Sequence, residues 1–145
     1  MSSVESKQES AYFTSLNRNK ESVTLNLVHP EGRRIFLDLV KQADVVVENF
    51  TPGTMEKFGL DFSVLRDVNP RLIYCSISGF GQTGPLAHRP ALDVIVQAMG
   101  GVMSITGEPG RPPVRVGASV GDIVAGLFAA TVISSALYER EKSGV

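Results

Sequence analysis

The chain has 145 residues, 43% of them hydrophobic and 20% charged, with no Trp and a formal charge of -1. That balance excludes disordered, collagen-like and coiled-coil classes and leaves one ordinary globular unit, long enough to bury about two-thirds of its unfolded surface. With 14 basic against 15 acidic residues there is no basic footprint for nucleic acid or an anionic membrane surface, and the lone Cys75 removes any disulfide framework. The expected partner is a small molecule or another protein.

The first ten residues are polar, carry Glu5, Lys7 and Glu9, and contain no apolar stretch of the kind a secretory signal needs. They are expected to be a disordered N-terminus, and the protein to be cytoplasmic. Residues 22–27 alternate, with Val23, Leu25 and Leu27 on one face and Thr24 and Asn26 on the other, which predicts a half-buried strand. His29-Pro30-Glu31-Gly32 then opens a helix. Pro30 suits a first helical position, and Ile35, Phe36, Leu39, Val40 and Ala43 fall at helical spacing to give one apolar stripe. Residues 44–50, DVVVENF, form the continuous apolar run of a strand buried on both sides, as in a parallel sheet. Thr51-Pro52-Gly53 breaks it. Short helices follow to Gly59 and over 62–68, Asn69-Pro70 stops the chain, and residues 71–78 form a third strand. The alternation of strand and helix defines βαβ units, hence an α/β Rossmann-like parallel sheet with crossover helices.

From Gly79 the texture becomes a loop rich in Gly and Pro, GFGQTGPLAHRP. A buried helix or helical turn is expected over 93–103, a turn-rich loop over 107–113 and a short extended piece over 114–116. The last element, residues 122–142, is a helix that is apolar or small nearly all round until Glu139-Arg140-Glu141-Lys142. Such a helix is expected to be covered on most sides, by more protein or by a partner subunit. Its uncharged stretch, residues 123–138, is shorter than the roughly 20 residues needed to cross a bilayer, so it reads as a core helix and no membrane span is expected. A charged last turn with Gly144 just past it suggests that another element followed, so the chain is expected to be a fragment.

Among the motifs, Gly79-Phe80-Gly81-Gln82-Thr83-Gly84 fits GxGxxG after a strand. A dinucleotide site would need the third Gly to lead into a helix that holds the pyrophosphate, and Pro85 and Pro90 keep this chain irregular. Asp122, directly before the apolar helix, reads either as an N-cap or as a carboxylate nucleophile. A helix N-terminus suits the second role, because its dipole and free N–H groups favour negative charge. Asn49-Phe50-Thr51-Pro52-Gly53 lies at the carboxyl end of a buried strand, where open α/β sheets bind ligands. Lys57, one helical turn on, is a phosphate candidate, with Arg89 the next. His29 and His88 are too isolated for a metal site, and no spacing resembles one. Cys75 reads as core.

Together these segments resemble the class III coenzyme A transferases, the family of formyl-CoA:oxalate and crotonobetainyl-CoA:carnitine CoA-transferases. The matching pieces are NRNKESVTLNLVHPEG, ADVVVENFTPGTMEKFGLD, NPRLIYCSISGFGQTGP, ALDVIVQAMGGVMSITGEPG and VGASVGDIVAGLFAA, in order from Asn17 to Ala130. The resemblance implies that residues 11–145 are part of the large, CoA-binding domain of such an enzyme, which in the family forms interlocked homodimers. It implies that Asp122 is the nucleophile, attacking an acyl-CoA thioester to form a mixed anhydride that CoA thiolate opens to an aspartyl-CoA thioester, after which a carboxylic acid reverses the steps. CoA-contacting stretches carry over to Leu25, Asn26, Leu27 and Val28, to Asn49, Phe50 and Thr51, and to Lys57. Relatives often carry Arg at Thr51 and Lys57. No permanently bound cofactor or metal is implied; coenzyme A is substrate. The α-methylacyl-CoA racemases share the scaffold but carry a His at Leu92, which here can move no proton, so a racemase is the rival enzyme. A non-catalytic CoA-binding or dimer-forming remnant is the rival outside enzymes.

Overall fold

A computed structural model describes residues 10–144. Ser10 is the N-cap of α1 (Ala11–Leu16), its hydroxyl accepting from the Phe13 N–H at 3.1 Å. The remainder of the expected disordered terminus, residues 1–9, lies outside the described residues. Helix α2 (Pro30–Val40) begins where its sequence signals place it. Pro30 occupies a first-turn position, and the His29 ring Nδ1 caps it by accepting from the Glu31 N–H at 3.2 Å.

Two parallel strands follow, β1 (Val45–Glu48) and β2 (Ile73–Ser76), in register from Val45 opposite Ile73 to Glu48 opposite Ser76. Between them run α3 (Thr54–Phe58) and α4 (Phe62–Val68). Asp61 caps α4, its Oδ1 accepting from the Ser63 and Val64 N–H groups. The core sits where α2, α3 and α4 meet the sheet: Val40, Met55, Leu60, Leu65 and Leu72 are buried together, with Phe36, Val46 and Tyr74 packed around them. Each such side chain stabilises the fold by about 1.5–3 kcal/mol on burial.

The α/β class and the parallel pairing stand, but the expected first strand does not. Residues 22–27 are irregular, Val23 is exposed, and β1 and β2 pair only with each other. Alternation sorts side chains onto two faces, whereas a strand exists only through ladder hydrogen bonds to a neighbour. Here Asn26 turns the chain instead, its Oδ1 accepting from the Val28 N–H and its carbonyl from the His29 N–H, both at 3.1 Å.

Beyond β2, the helix or helical turn expected over 93–103 is both in succession, α5 (Asp93–Met99) and then a 3-10 turn (Val102–Ile105). Gly101 takes a left-handed φ of 80° at the break, which a residue with a Cβ adopts only under strain. Helix α6 (Val120–Ser143) packs on α5 and β2. It is not covered as expected: Leu127, Phe128, Val132 and Tyr138 are each over 60% exposed. It also passes, by length and composition alone, the test for a membrane-crossing helix, with mean hydropathy 1.8 over 18 residues. The shorter uncharged stretch had argued otherwise. Both its ends are tied to the α/β unit, by Gly121 to Asp93 and by Arg140 to Asp44.

Candidate active site

The chain leaves both strands on the same side of the sheet, as parallel pairing requires. There Asn49 bridges the two exits, its Nδ2 donating to the Ile77 carbonyl at 2.7 Å. Glu48 holds the next residue, its Oε2 accepting from the Phe50 N–H at 2.7 Å. A depression of about 290 Å3 opens beside this corner, lined by Asn49, Phe50, Thr51, Pro52 and Arg89. A second of about 240 Å3 is lined by Asn49, Leu92, Val96, Gly121 and Asp122. The two share Asn49, Ser78, Gly79, Ala91 and Leu92, so they form one trough from the β1 exit to the start of α6. Gly79 makes the shared wall possible, because a Cβ there would collide with the Ala91 side chain.

Asp122 is not the N-cap. Ser119 is, without a side-chain cap bond, and Asp122 stands in the first turn of α6. Of the first-turn N–H groups, that of Val120 is spent on the Ala118 carbonyl, that of Ile123 on the Ser119 carbonyl and that of Gly121 on Asp93. The Asp122 N–H has no partner among the described residues. On its other side Asp122 borders an open groove of about 700 Å3 against α1, with Tyr12, Leu16, Gly117 and Leu127. Asp122 is exposed and borders depressions on two sides at a helix N-terminus, where the dipole favours negative charge.

The structure thus brings Asn49, Phe50 and Thr51 together with Asp122 along one surface. It does not bring Leu25, Asn26, Leu27, Val28 or Lys57 there. The first four precede α2, with Leu27 packed on the core and the Asn26 backbone pressed against Gly32. Lys57 is exposed on α3 and lines none of these depressions. Arg89 does line the trough, which makes it the nearer cation.

The GFGQTG segment stays irregular, with left-handed Gly81 and Gly84. Gln82 pins it by donating to Ser76 Oγ at 2.6 Å. No helix opens at its third Gly, so the geometry of a dinucleotide fingerprint is absent from these described residues. Ser76 and Tyr74 in turn donate to Glu48 Oε1. Burial, then the Glu48 charge, pushes the Tyr74 hydroxyl well above the usual phenol range. Among the described residues no cluster of His, Cys, Asp and Glu could hold a metal ion.

Two residues escaped the sequence reading. Asp93 and buried Gln97 form a hydrogen-bonded pair under the loop that leads into α6. Their signal was a lone polar pair at i, i+4 within an otherwise apolar helix.

The chain belongs to CoA-transferase family III, whose sequence profile matches residues 1–145. It is 55% identical over 137 residues to acetyl-CoA:oxalate CoA-transferase of Acetobacter aceti, covering 94% of this chain and 35% of that protein. To succinate–glutarate CoA-transferase of Agrobacterium fabrum it is 48% identical, covering 92% of this chain and 34% of the relative. The crystal structure of a CAIB/BAIF family protein from Brucella suis superposes with a TM-score of 0.92 at 48% identity, over 97% of this chain and 37% of that one. The chain therefore spans about a third of the length of the relatives it matches.

Proposed function

We propose that this chain carries the nucleophile of a CoA-transferase that moves coenzyme A between an acyl-CoA and a free carboxylic acid. The observation that carries the reading is the trough that joins the strand-end residues Asn49, Phe50 and Thr51 to Asp122 at the N-terminal turn of α6. Family membership and the names of the relatives, which pair CoA with oxalate or glutarate, support it.

In this reading an Asp122 oxygen attacks the thioester carbonyl, the C–S bond breaks and CoA leaves as thiolate, giving a mixed anhydride. The thiolate then attacks the Asp122 carbonyl of that anhydride. The donor acid departs as carboxylate and an aspartyl-CoA thioester remains. An acceptor carboxylate attacks this thioester, and the steps reverse to release the new acyl-CoA and free Asp122. Every step exchanges one acyl bond for another, so no oxidant or metal enters. The unpartnered Asp122 N–H and the helix dipole would favour the negative charge that accumulates beside this carboxylate. Leu92 in the shared wall carries no proton, which disfavours acid-base exchange at the α-carbon.

The test is Asp122→Asn in the full-length polypeptide that contains this sequence. Asn keeps the shape of a first-turn residue but is no nucleophile toward a thioester, so transfer should disappear while CoA binding and melting temperature persist. Hydroxylamine trapping of the wild type incubated with acyl-CoA should label the peptide holding Asp122. Appreciable transfer by the Asn variant, or a label on another carboxylate, would sink this mechanism.

A further inference from the structure

Asp122 sits on a helix start whose own cap is empty. Ser119 makes no side-chain cap bond, and the Gly121 N–H is satisfied from across the fold by Asp93 Oδ1 at 2.8 Å. The other Asp93 oxygen accepts from Gln97 Nε2 at 2.7 Å. Gln97 is 2% exposed, and its amide is fully engaged with the loop before α6: Oε1 accepts from the Val116 N–H at 2.8 Å, and Nε2 also reaches the Ala118 carbonyl at 3.3 Å. A single side chain thus holds residues 116 and 118, and through Asp93 it holds residue 121.

The pattern admits one orientation. Val116 N–H can only donate, so the Gln97 oxygen must face it; Nε2 must then face Asp93, which must accept. Both Asp93 oxygens are committed, one to the backbone and one to Gln97. Gly121 completes the fit, since a Cβ there would stand 3.1 Å from Asp93 Oδ1 and 3.4 Å from Val96 Cγ1.

We propose that Gln97 is a positioning residue for Asp122: acting through Asp93, it fixes the backbone of residues 116–121 and so sets where the Asp122 carboxylate stands in the trough. Gln97 touches no substrate, because it is buried beneath the loop and lines neither half of the trough. The inference rests on Asp122 being the nucleophile, and its consequence is kinetic. Loss of the clamp leaves the strand-end corner at Asn49 to Thr51 intact, so ground-state binding of acyl-CoA should survive while attack geometry suffers. A misplacement of about 1 Å at a reacting group costs on the order of 100-fold.

The experiment compares Gln97→Met, similar in size but without the amide, with Asp93→Asn, in the full-length polypeptide. In the second, an Asn oriented to accept from Gly121 turns its NH2 toward the Gln97 NH2, and one oriented the other way meets the Gly121 N–H with a donor. Both variants should lower kcat by about 10- to 100-fold and change KM for acyl-CoA by less than about threefold. Backbone amide exchange is the second readout and needs no activity. In both variants the Val116 and Gly121 amides should lose protection while those of β1 and β2 keep it. If kcat and amide protection both match wild type, the clamp does not exist. A KM rise with kcat unchanged would make Gln97 part of substrate binding instead and overturn the proposal. If the wild type proves to transfer no CoA and Asp122 takes no label, the functional reading fails by itself, and the exchange data still decide whether Gln97 holds the loop. Should Gln97→Met fail to fold, Asp93→Asn supplies the same two measurements.

Discussion

Arg140, near the end of α6, reaches back to the start of β1 and lays Nη2 2.7 Å from Asp44 Oδ1. Its Nη1 donates to the Arg71 carbonyl at 2.9 Å, just ahead of β2. The guanidinium is 9% exposed while the Asp44 carboxylate is 72% exposed, so the two partners are not equivalent. The buried end is the one whose loss is costly.

Arg140→Ala should accordingly destabilise the chain by about 2 kcal/mol, through lost hydrogen bonds from a charged donor and lost packing of the side-chain stem. Asp44→Ala should cost less than about 1 kcal/mol, since the solvated carboxylate leaves Arg140 still bonded to the Arg71 carbonyl. Urea unfolding of both variants checks the ratio. Equal losses would mean that the ion pair, and not the backbone tether, fixes α6.

The trough predicts which cation meets a CoA phosphate. Arg89 lines it beside Phe50 and Thr51, whereas Lys57 stands outside. Arg89→Ala should therefore weaken CoA binding by roughly tenfold and flatten its salt dependence, as expected when one charge-assisted contact is lost. Lys57→Ala should change both far less. Titration calorimetry at two salt concentrations separates the cases, and the reverse order would return the phosphate to α3.

How far the sequence could be read depended on whether a feature was local. Pro30 at the start of α2, the strand at β1 and the stop at Asn69-Pro70 are local, and the structure places all three, although β1 is not buried on both sides as expected: Val47 is 54% exposed, because only β2 pairs with it and no further layer covers that face among the described residues. The alternation at 22–27 was equally local but needed a neighbouring strand to become a ladder. Asp122 stood out in the sequence only as a carboxylate beside an apolar helix; that Asp93, 29 positions earlier, accepts from the Gly121 N–H in place of an Asp122 cap was not visible there. Arg140 read only as one of four charges in the last turn. Nothing in its neighbours announces that it folds back on a carbonyl at Arg71.

Acid should expose the cap of α4. The Ser63 hydroxyl and then the Val64 and Ser63 N–H groups hold the Asp61 carboxyl below its ordinary range. A carboxyl lowered on folding contributes stability that is present above its unfolded value, near 3.9, and is lost as pH falls through the folded value. Asn caps about as well as Asp but does not titrate. Asp61→Asn should thus match wild type near pH 7 and lose less stability than wild type between about pH 4 and pH 2. Urea midpoints across that interval check the slope, and parallel curves would show that the hydroxyl contact adds nothing.

Helix α6 presents Leu127, Phe128, Val132 and Tyr138 to solvent, a row more apolar than a lone soluble domain ordinarily exposes. Burying each of the aliphatic and aromatic side chains in a contact is worth at most about 1.5–3 kcal/mol, so two or three do not outweigh the cost of association, whereas a contact that covers all four on both copies supplies a gross driving force of the size a micromolar dimer needs. The 145-residue chain by itself should sediment as dimers or larger species. Leu127→Glu with Phe128→Glu should shift it toward monomer without loss of helical circular dichroism, because both side chains are over 60% exposed and leave the core of Val40, Leu60 and Leu65 untouched. A sharply melting monomer of the unaltered chain would show that this face needs no cover, and association undiminished in the double variant would place the contact on another surface.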